Sequence, residues 1–342
     1  MERKQVSPGA TMKEVAEKAG VSTATVSRAL MNPEKVSATT REKVEAAAKS
    51  IGYLPHPLTR SIKRNETHTI LVIVPDICDP FFGEMIRGIE VTATRHGYLV
   101  LISDCAHQNQ RESSLMDLVV TRQIDGMVLL GSHLPFISSP NDVRLLPPMV
   151  MANEFAPELE LPAVHIDNLT AAFEAVNHLL KYGHRRIACL TGPEDTPLSQ
   201  YRLQGYIQAL RRSGIAIDNT YIIRGDFTFE AGKNALKVLI ALANPPEAIF
   251  CHNDIMALGI IAQAKSVGLR VPQDISVIGF DDIELAQYCD PPLTTVIQPR
   301  FAIGADAMTL LLEKLEGKTI SNGSRLREFR LKVRASTAPP RA

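Results

Sequence analysis

Three short stretches near the start of the chain carry apolar residues at helical spacing. Met12, Val15, Ala16 and Ala19 recur at i, i+3, i+4 and i+7, one face of a helix. Thr11 and Glu14 occupy the two positions of a capping box at its start, and Gly20-Val21 supplies a turn. Ser22 follows, where its hydroxyl can cap a second helix. Wound at about 100° per residue, that second segment gathers Val26, Ala29 and Leu30 on one arc and Thr23, Ala24, Ser27 and Arg28 on the opposite one. A third helix is predicted from Thr39 to Ile51, apolar at Val44, Ala47, Ala48 and Ile51, with Gly52 just past it as a left-handed cap. Three such helices close one small core and leave the polar arc of the second free. This is a helix-turn-helix pattern, in which the second helix enters the DNA major groove with its N-terminal residues at base edges.

Beyond a stretch from Tyr53 to Thr67 with two prolines and several basic residues, which marks a hinge between domains, the pattern changes. Apolar runs suited to buried strands are predicted at Ile70–Val74, Leu99–Ser103, Gly126–Leu130, Val150–Ala152, Val164–Asp167, Ile187–Leu190, Ala248–Cys251 and Ser276–Phe280. They alternate with amphipathic helices at Glu84–His96, Glu112–Arg122, Leu169–Tyr182, Arg202–Ser213, Phe229–Leu242, Ile255–Val267 and Ala302–Glu316. Alternation of this kind implies parallel sheets covered on both faces. The pattern runs twice, to about Ile166 and again from Asp167. The expected organisation is therefore an all-α helix-turn-helix headpiece (1–56), a hinge linker (57–67) and an α/β trunk (68–342) of two similar parallel-sheet subdomains. The first is expected to take about 68–166 and 298–324, the second about 167–297 and 325–342.

Open α/β sheets bind ligands at the carboxyl ends of their strands. The polar residues that follow the predicted strands are Asp76 with the Cys78–Phe82 loop, Asp104, Asn153, Asp167-Asn168, the Gly192-Pro-Glu loop, His252-Asn-Asp254 and Asp281-Asp282. Each alone reads as a helix cap or loop residue, and it is their shared placement that suggests a site.

The formal net charge of zero hides an asymmetry. Residues 1–66 hold 12 Lys+Arg against 7 Glu and no Asp, while the remaining residues carry 25 basic against 30 acidic groups. A basic end on an acidic body suits a DNA-binding head on a ligand-binding trunk. The five cysteines are scattered, without CxxC or Cys/His ligand spacing, and read as reduced thiols. The start of the chain has no apolar signal-peptide core and no apolar run reaches membrane-spanning length, so a cytoplasmic protein with no membrane partner is expected. A periplasmic solute-binding protein would need a signal peptide and no basic head. An enzyme acting on nucleosides or sugars finds no support either. The sequence lacks GxxxxGK[ST], GxGxxG after a strand, HExxH and GxSxG, and no metal or cofactor is expected.

Particular blocks carry a family resemblance. Val15 to Arg28, Val36-Ser37 and Thr40 to Ala47 resemble the headpiece of the LacI/GalR repressors. The trunk is similar to theirs at Gly183–Ile187, Arg202–Tyr206, Phe250–Gly259, Pro272–Asp281 and Pro292–Thr295, so the resemblance covers essentially the whole chain. It implies a periplasmic-binding-protein-like trunk and a homodimer on a roughly palindromic DNA operator. The tail from Ala335 has no heptad helix to tie dimers into tetramers. Ile73–Phe82, Asp104–Gln110 and Ala152–Leu161 are similar to a nucleoside-responsive branch of the family. That likeness implies repression of genes for nucleoside uptake and breakdown, cytidine as inducing effector, and cooperation with the cyclic-AMP receptor protein. A sugar- or purine-responsive repressor is the alternative, and Thr196 and Leu198 stand where purine-binding relatives carry polar or charged contacts.

By the same resemblance, Thr23, Ala24 and Arg28 fall at base edges. Arg28 can donate a bidentate pair to guanine, and Ala24 or the Thr23 methyl can meet a thymine methyl. Thr11, Ser22, Thr25, Ser27, Asn32 and Thr40 fit phosphate contacts, which set register without reading sequence. Ile62 takes the minor-groove wedge position of the hinge, where most members carry leucine. A β-branched residue there, after Pro57, predicts a weak hinge helix. In the trunk, Phe81, Phe82, Arg202, Phe227, Asn253 and Asp281 match residues that line the family's effector cleft. The aromatics are suited to stacking on a base, Arg202 to gripping hydroxyls and Asp281 to accepting from ribose.

Overall fold

The computed structural model describes residues 10–31, 33–53, 67–105, 118–132, 146–156 and 159–341. The expectations for the hinge, Ile62 included, and for Asn32 lie outside the described residues. So does most of the helix expected at Glu112–Arg122, of which residues 118–120 are helical. Two compact units divide the chain, residues 1–68 and 69–342.

In the first unit, α1 (Met12–Ala19), α2 (Thr23–Met31) and α3 (Ala38–Ser50) enclose a core of Val15, Ala16, Val26, Ala29, Val44, Ala47 and Ala48. The capping box is formed: Glu14 N–H donates to Thr11 Oγ1 at 3.3 Å and Thr11 N–H to Glu14 Oε2 at 2.6 Å. Gly20 ends α1 in the left-handed region with φ 67°, which releases the chain into the turn. Ser22 Oγ accepts from Thr25 N–H at 3.1 Å and starts α2.

The second unit holds two six-stranded sheets. The first runs β11 (Ser324–Arg327), β5 (Ala163–Ile166), β4 (Met149–Ala152), β3 (Gly126–Leu129), β1 (Thr69–Val74), β2 (Leu99–Asp104), with every pairing parallel. The second runs β12 (Arg330–Lys332), β10 (Thr294–Ile297), β9 (Ser276–Asp281), β8 (Ala248–Cys251), β6 (Ile187–Thr191), β7 (Ile222–Arg224), parallel except where β12 meets β10. The helices are α4 (Phe81–Arg95), α5 (Asn168–Lys181), α6 (Pro197–Arg212), α7 (Phe229–Ile240), α8 (Asp254–Ser266), the short α9 (Leu285–Tyr288) and α10 (Arg300–Leu315).

The chain passes between the sheets three times: at Asp167, between β10 and α10, and between β11 and β12. After the second crossing α10 lies against α4. A side chain at Gly88 would strike Phe301 O and one at Gly304 would strike Met85 O, so glycine on each helix permits the close approach. The boundary expected between 324 and 325 is corrected by the pairing. Ser324 to Arg327 all pair with Ala163 to Ile166, so β11 belongs whole to the first subdomain and the chain crosses only after Arg327. Among the described residues no helix is long and apolar enough to cross a membrane.

Candidate functional site

The packing of α2 sorts its side chains. Val26 and Ala29 are buried, whereas Thr23, Ala24 and Arg28 are exposed, and Arg28 has no hydrogen bond or ion pair among the described residues. A guanidinium left unpaired on a short polar arc keeps all its donors for an external acceptor. The hydroxyls expected at phosphates first serve the helix starts. Thr25 Oγ1 lies 2.9 Å from Ser22 Oγ, and Thr40 Oγ1 lies 2.8 Å from Ser37 Oγ. Each sits at a helix N-terminus, where backbone N–H groups and the helix dipole favour an anion. Thr11 and Ser22 are exposed, while Ser27, Thr25 and Thr40 are half-buried.

Between the two trunk subdomains lies a cavity of about 590 Å³, and all six residues expected at the effector line it: Phe81, Phe82, Arg202, Phe227, Asn253 and Asp281. Phe81 and Phe82 open α4. Asp79 Oδ1 holds the Phe81 N–H at 2.8 Å, and the two rings meet edge to face at 5.2 Å. Arg300, the first residue of α10, donates to Asp282 O at 3.0 Å and lies over the Phe81 ring at 5.9 Å, tying one subdomain to the other beside this aromatic wall.

Arg202 is buried on α6 and nearly fully engaged. Its Nε donates to Asn168 Oδ1 at 2.9 Å, one terminal nitrogen to His252 O, and the guanidinium lies 3.7 Å from the Phe280 ring centre. The remaining terminal nitrogen faces Asp281 Oδ1 at 3.9 Å. Asp281 ends β9 with φ 115°, a strained backbone for a non-glycine residue, and accepts from Gln298 Nε2 at 2.8 Å. Burial pushes its carboxyl upward against the opposing pull of Arg202. Its buried neighbour Asp254 is pushed well up, first by burial and then by Asp281, and serves the scaffold. One Asp254 oxygen accepts from Thr295 Oγ1 at 2.6 Å and the other from Ile283 N–H at 2.9 Å.

Asn253, which lines the cavity, also serves the scaffold. Its Oδ1 caps α8 by accepting from Met256 N–H at 2.9 Å, and its Nδ2 holds Phe227 O at 3.0 Å. Phe227 has φ 68°, so Asn253 sustains the left-handed turn that presents that ring. The ring in turn rests on Gly192, where a Cβ would lie 2.1 Å from Phe227 Cζ.

Sequence reasoning singled out neither Glu154 nor Gln298 as site residues. Glu154 is buried in the cleft wall, and its Oε1 accepts the Leu198 N–H at 3.1 Å, linking the first subdomain to the start of α6. Burial pushes it up to about 8, with the Leu198 N–H and Arg202 opposing. Beside it, Phe155 stacks on His165 at 4.7 Å and meets Tyr201 of α6 at 5.2 Å. The available signal was an acid among apolar residues directly after a buried strand, Ala152-Asn-Glu-Phe155.

Residues 11–56 match the model for bacterial regulatory proteins of the lacI family, and 176–337 match a periplasmic binding protein-like domain. The chain is 65% identical over 337 residues to the HTH-type transcriptional repressor CytR of Escherichia coli (strain K12), covering 98% of this chain and 99% of that one. It is 37% identical over 314 residues to the ribose operon repressor of the same organism, covering 91% and 94%. The lac repressor dimer bound to operator and the anti-inducer ONPF superposes with a TM-score of 0.83 at 26% identity, covering 97% of this chain and all of that one.

Proposed function

The chain belongs to the LacI family of bacterial regulators as a DNA-binding transcriptional repressor, and from that premise we propose that it controls genes for nucleoside uptake and breakdown with cytidine as its inducer. The observation that carries the effector assignment is the composition of the trunk cavity. Three phenylalanines stand beside a buried arginine and a buried carboxylate, which suits a planar base joined to a polyhydroxyl ring. The protein works as a cytoplasmic homodimer whose two heads span a roughly palindromic operator. Thr23, Ala24 and Arg28 read base edges. Thr11, Ser22, Thr25, Ser27, Asn32 and Thr40 hold phosphates, and Ile62 takes the hinge position in the minor groove.

In the trunk, Phe81, Phe82 and Phe227 stack on the base while Arg202 and Asp281 take ribose hydroxyls. Asn253 acts through Phe227. Ligand shifts the two trunk subdomains toward a closed state, and operator binding responds only by the difference in ligand affinity between the two states. The cyclic-AMP receptor protein is the helper at promoters. Ribose is the competing effector, because the ribose operon repressor is a relative and a sugar would use the same arginine and carboxylate. Calorimetry with cytidine, adenosine and ribose, with and without operator DNA, separates the readings. Cytidine is expected to bind most tightly, and to bind the operator complex more weakly than the free protein. Tight ribose binding with no cytidine response would assign the protein to a sugar instead.

A further inference from the structure

The wall of the cavity that faces the start of α6 has polar groups that the sugar contacts leave unused. Asn153 follows β4 in the left-handed region, φ 71°. That kink turns two consecutive side chains to the same side, and both Asn153 and Glu154 line the cavity. Asn153 is 6% exposed, and its Oδ1 is buried with no partner among the described residues. A buried carbonyl without a donor is costly, so a ligand donor placed there would be favoured. The nearby Thr196 hydroxyl is already spent on Pro193 O at 2.8 Å and Ser199 Oγ at 2.7 Å, and Leu198 is apolar.

We propose that Asn153 and Glu154 read the amino edge of cytosine and thereby select cytidine over uridine. This rests on the nucleoside reading of the cleft. Glu154 is anchored by the Leu198 N–H at the start of α6, whereas Asp281 ends β9. Cytosine offers a ring nitrogen that accepts and an exocyclic amine that donates, and uracil reverses both. Held protonated by its burial, Glu154 donates to the ring nitrogen and its carbonyl oxygen accepts one amine hydrogen. Asn153 Oδ1 accepts the other. Opposite uracil the same oxygen would face a carbonyl, and neither could donate.

The test is calorimetry of the full-length protein with cytidine, uridine and ribose. The wild type is expected to favour cytidine over uridine by about tenfold or more, the scale of one buried hydrogen bond. Asn153→Gly keeps the left-handed backbone at no steric cost and should narrow that ratio to about threefold or less. Glu154→Met should narrow it likewise, whereas Glu154→Gln, which keeps a donor and an acceptor, should preserve it. Ribose binding should be unchanged in Asn153→Gly and in Glu154→Gln, which keeps the acceptor for the Leu198 N–H. A wild-type ratio in Asn153→Gly with cytidine still bound overturns this assignment alone. A wild type that binds no nucleoside overturns it together with the reading beneath it.

Discussion

At the scale of single residues, burial sets the chemistry. Glu154 titrates near 8 in the folded protein against an ordinary 4.5, because its carboxylate would have to shed water inside the cleft wall. The unfolded chain releases this proton from pH 4.5 upward while the folded chain holds it to about 8, so the folded state binds more protons across that window and stability falls as pH rises. The cost is on the order of a few kcal/mol above pH 8. Glu154→Gln, which keeps the oxygen that accepts from Leu198, should therefore melt close to the wild type near pH 4.5 and progressively higher than it toward pH 8. Parallel melting curves across that range would show that the carboxyl is not held protonated. Arg28, exposed and without a partner among the described residues, has the opposite environment. Arg28→Ala should relax base preference at one operator position and cost roughly 1–3 kcal/mol of binding, read by titration against operator variants. Unchanged discrimination would remove it from base contact.

Among the elements, those fixed by local chemistry were legible and those fixed by pairing were not. The headpiece helices follow from Thr11, Ser22, Gly20 and Gly52 with their apolar spacing, and all appear where expected within a residue or two. Eight strands were readable as apolar runs, and seven of them are buried; β2, expected to be buried as well, is an edge strand whose Leu99, Leu101 and Ile102 are exposed. Four strands were not readable. β7 is three residues long, β11 and β12 are basic strands at sheet edges, and β10 is half threonine. Charged edge strands discourage pairing with other chains, and the same charges hide them from a hydrophobic pattern. All six expected cleft residues meet in one cavity, but the division of labour was illegible. The sequence does not reveal that the Asn253 amide also holds α8 and Phe227, nor that Glu154 reaches α6. The loop from β6 to α6 offers a test, because Gly192 leaves room for the Phe227 ring. Gly192→Ala should displace that ring and weaken cytidine binding by about tenfold or more, with operator affinity in the absence of ligand unchanged. Full cytidine affinity in this variant would show that Phe227 does not form a wall of the ligand site.

For the whole molecule, the covalent layout matters as much as either site. Three passes of the chain join the trunk subdomains, and Arg300 and Glu154 bridge them on either side of the cleft. A ligand that adds contacts to both walls favours one arrangement of the subdomains by its differential affinity, and that difference is all the work available to move the heads. The basic first 66 residues and the acidic remainder divide the tasks of holding DNA and sensing the cell. The central claim, that a grip on DNA answers to a nucleoside held in the trunk, is tested most directly by operator occupancy in an anisotropy titration at fixed salt. It is run with and without the cyclic-AMP receptor protein, and with cytidine added to saturation. Occupancy should fall on adding cytidine, by about tenfold in apparent affinity, at least when the receptor protein is present. Occupancy unmoved by saturating cytidine in both arms would contradict the account.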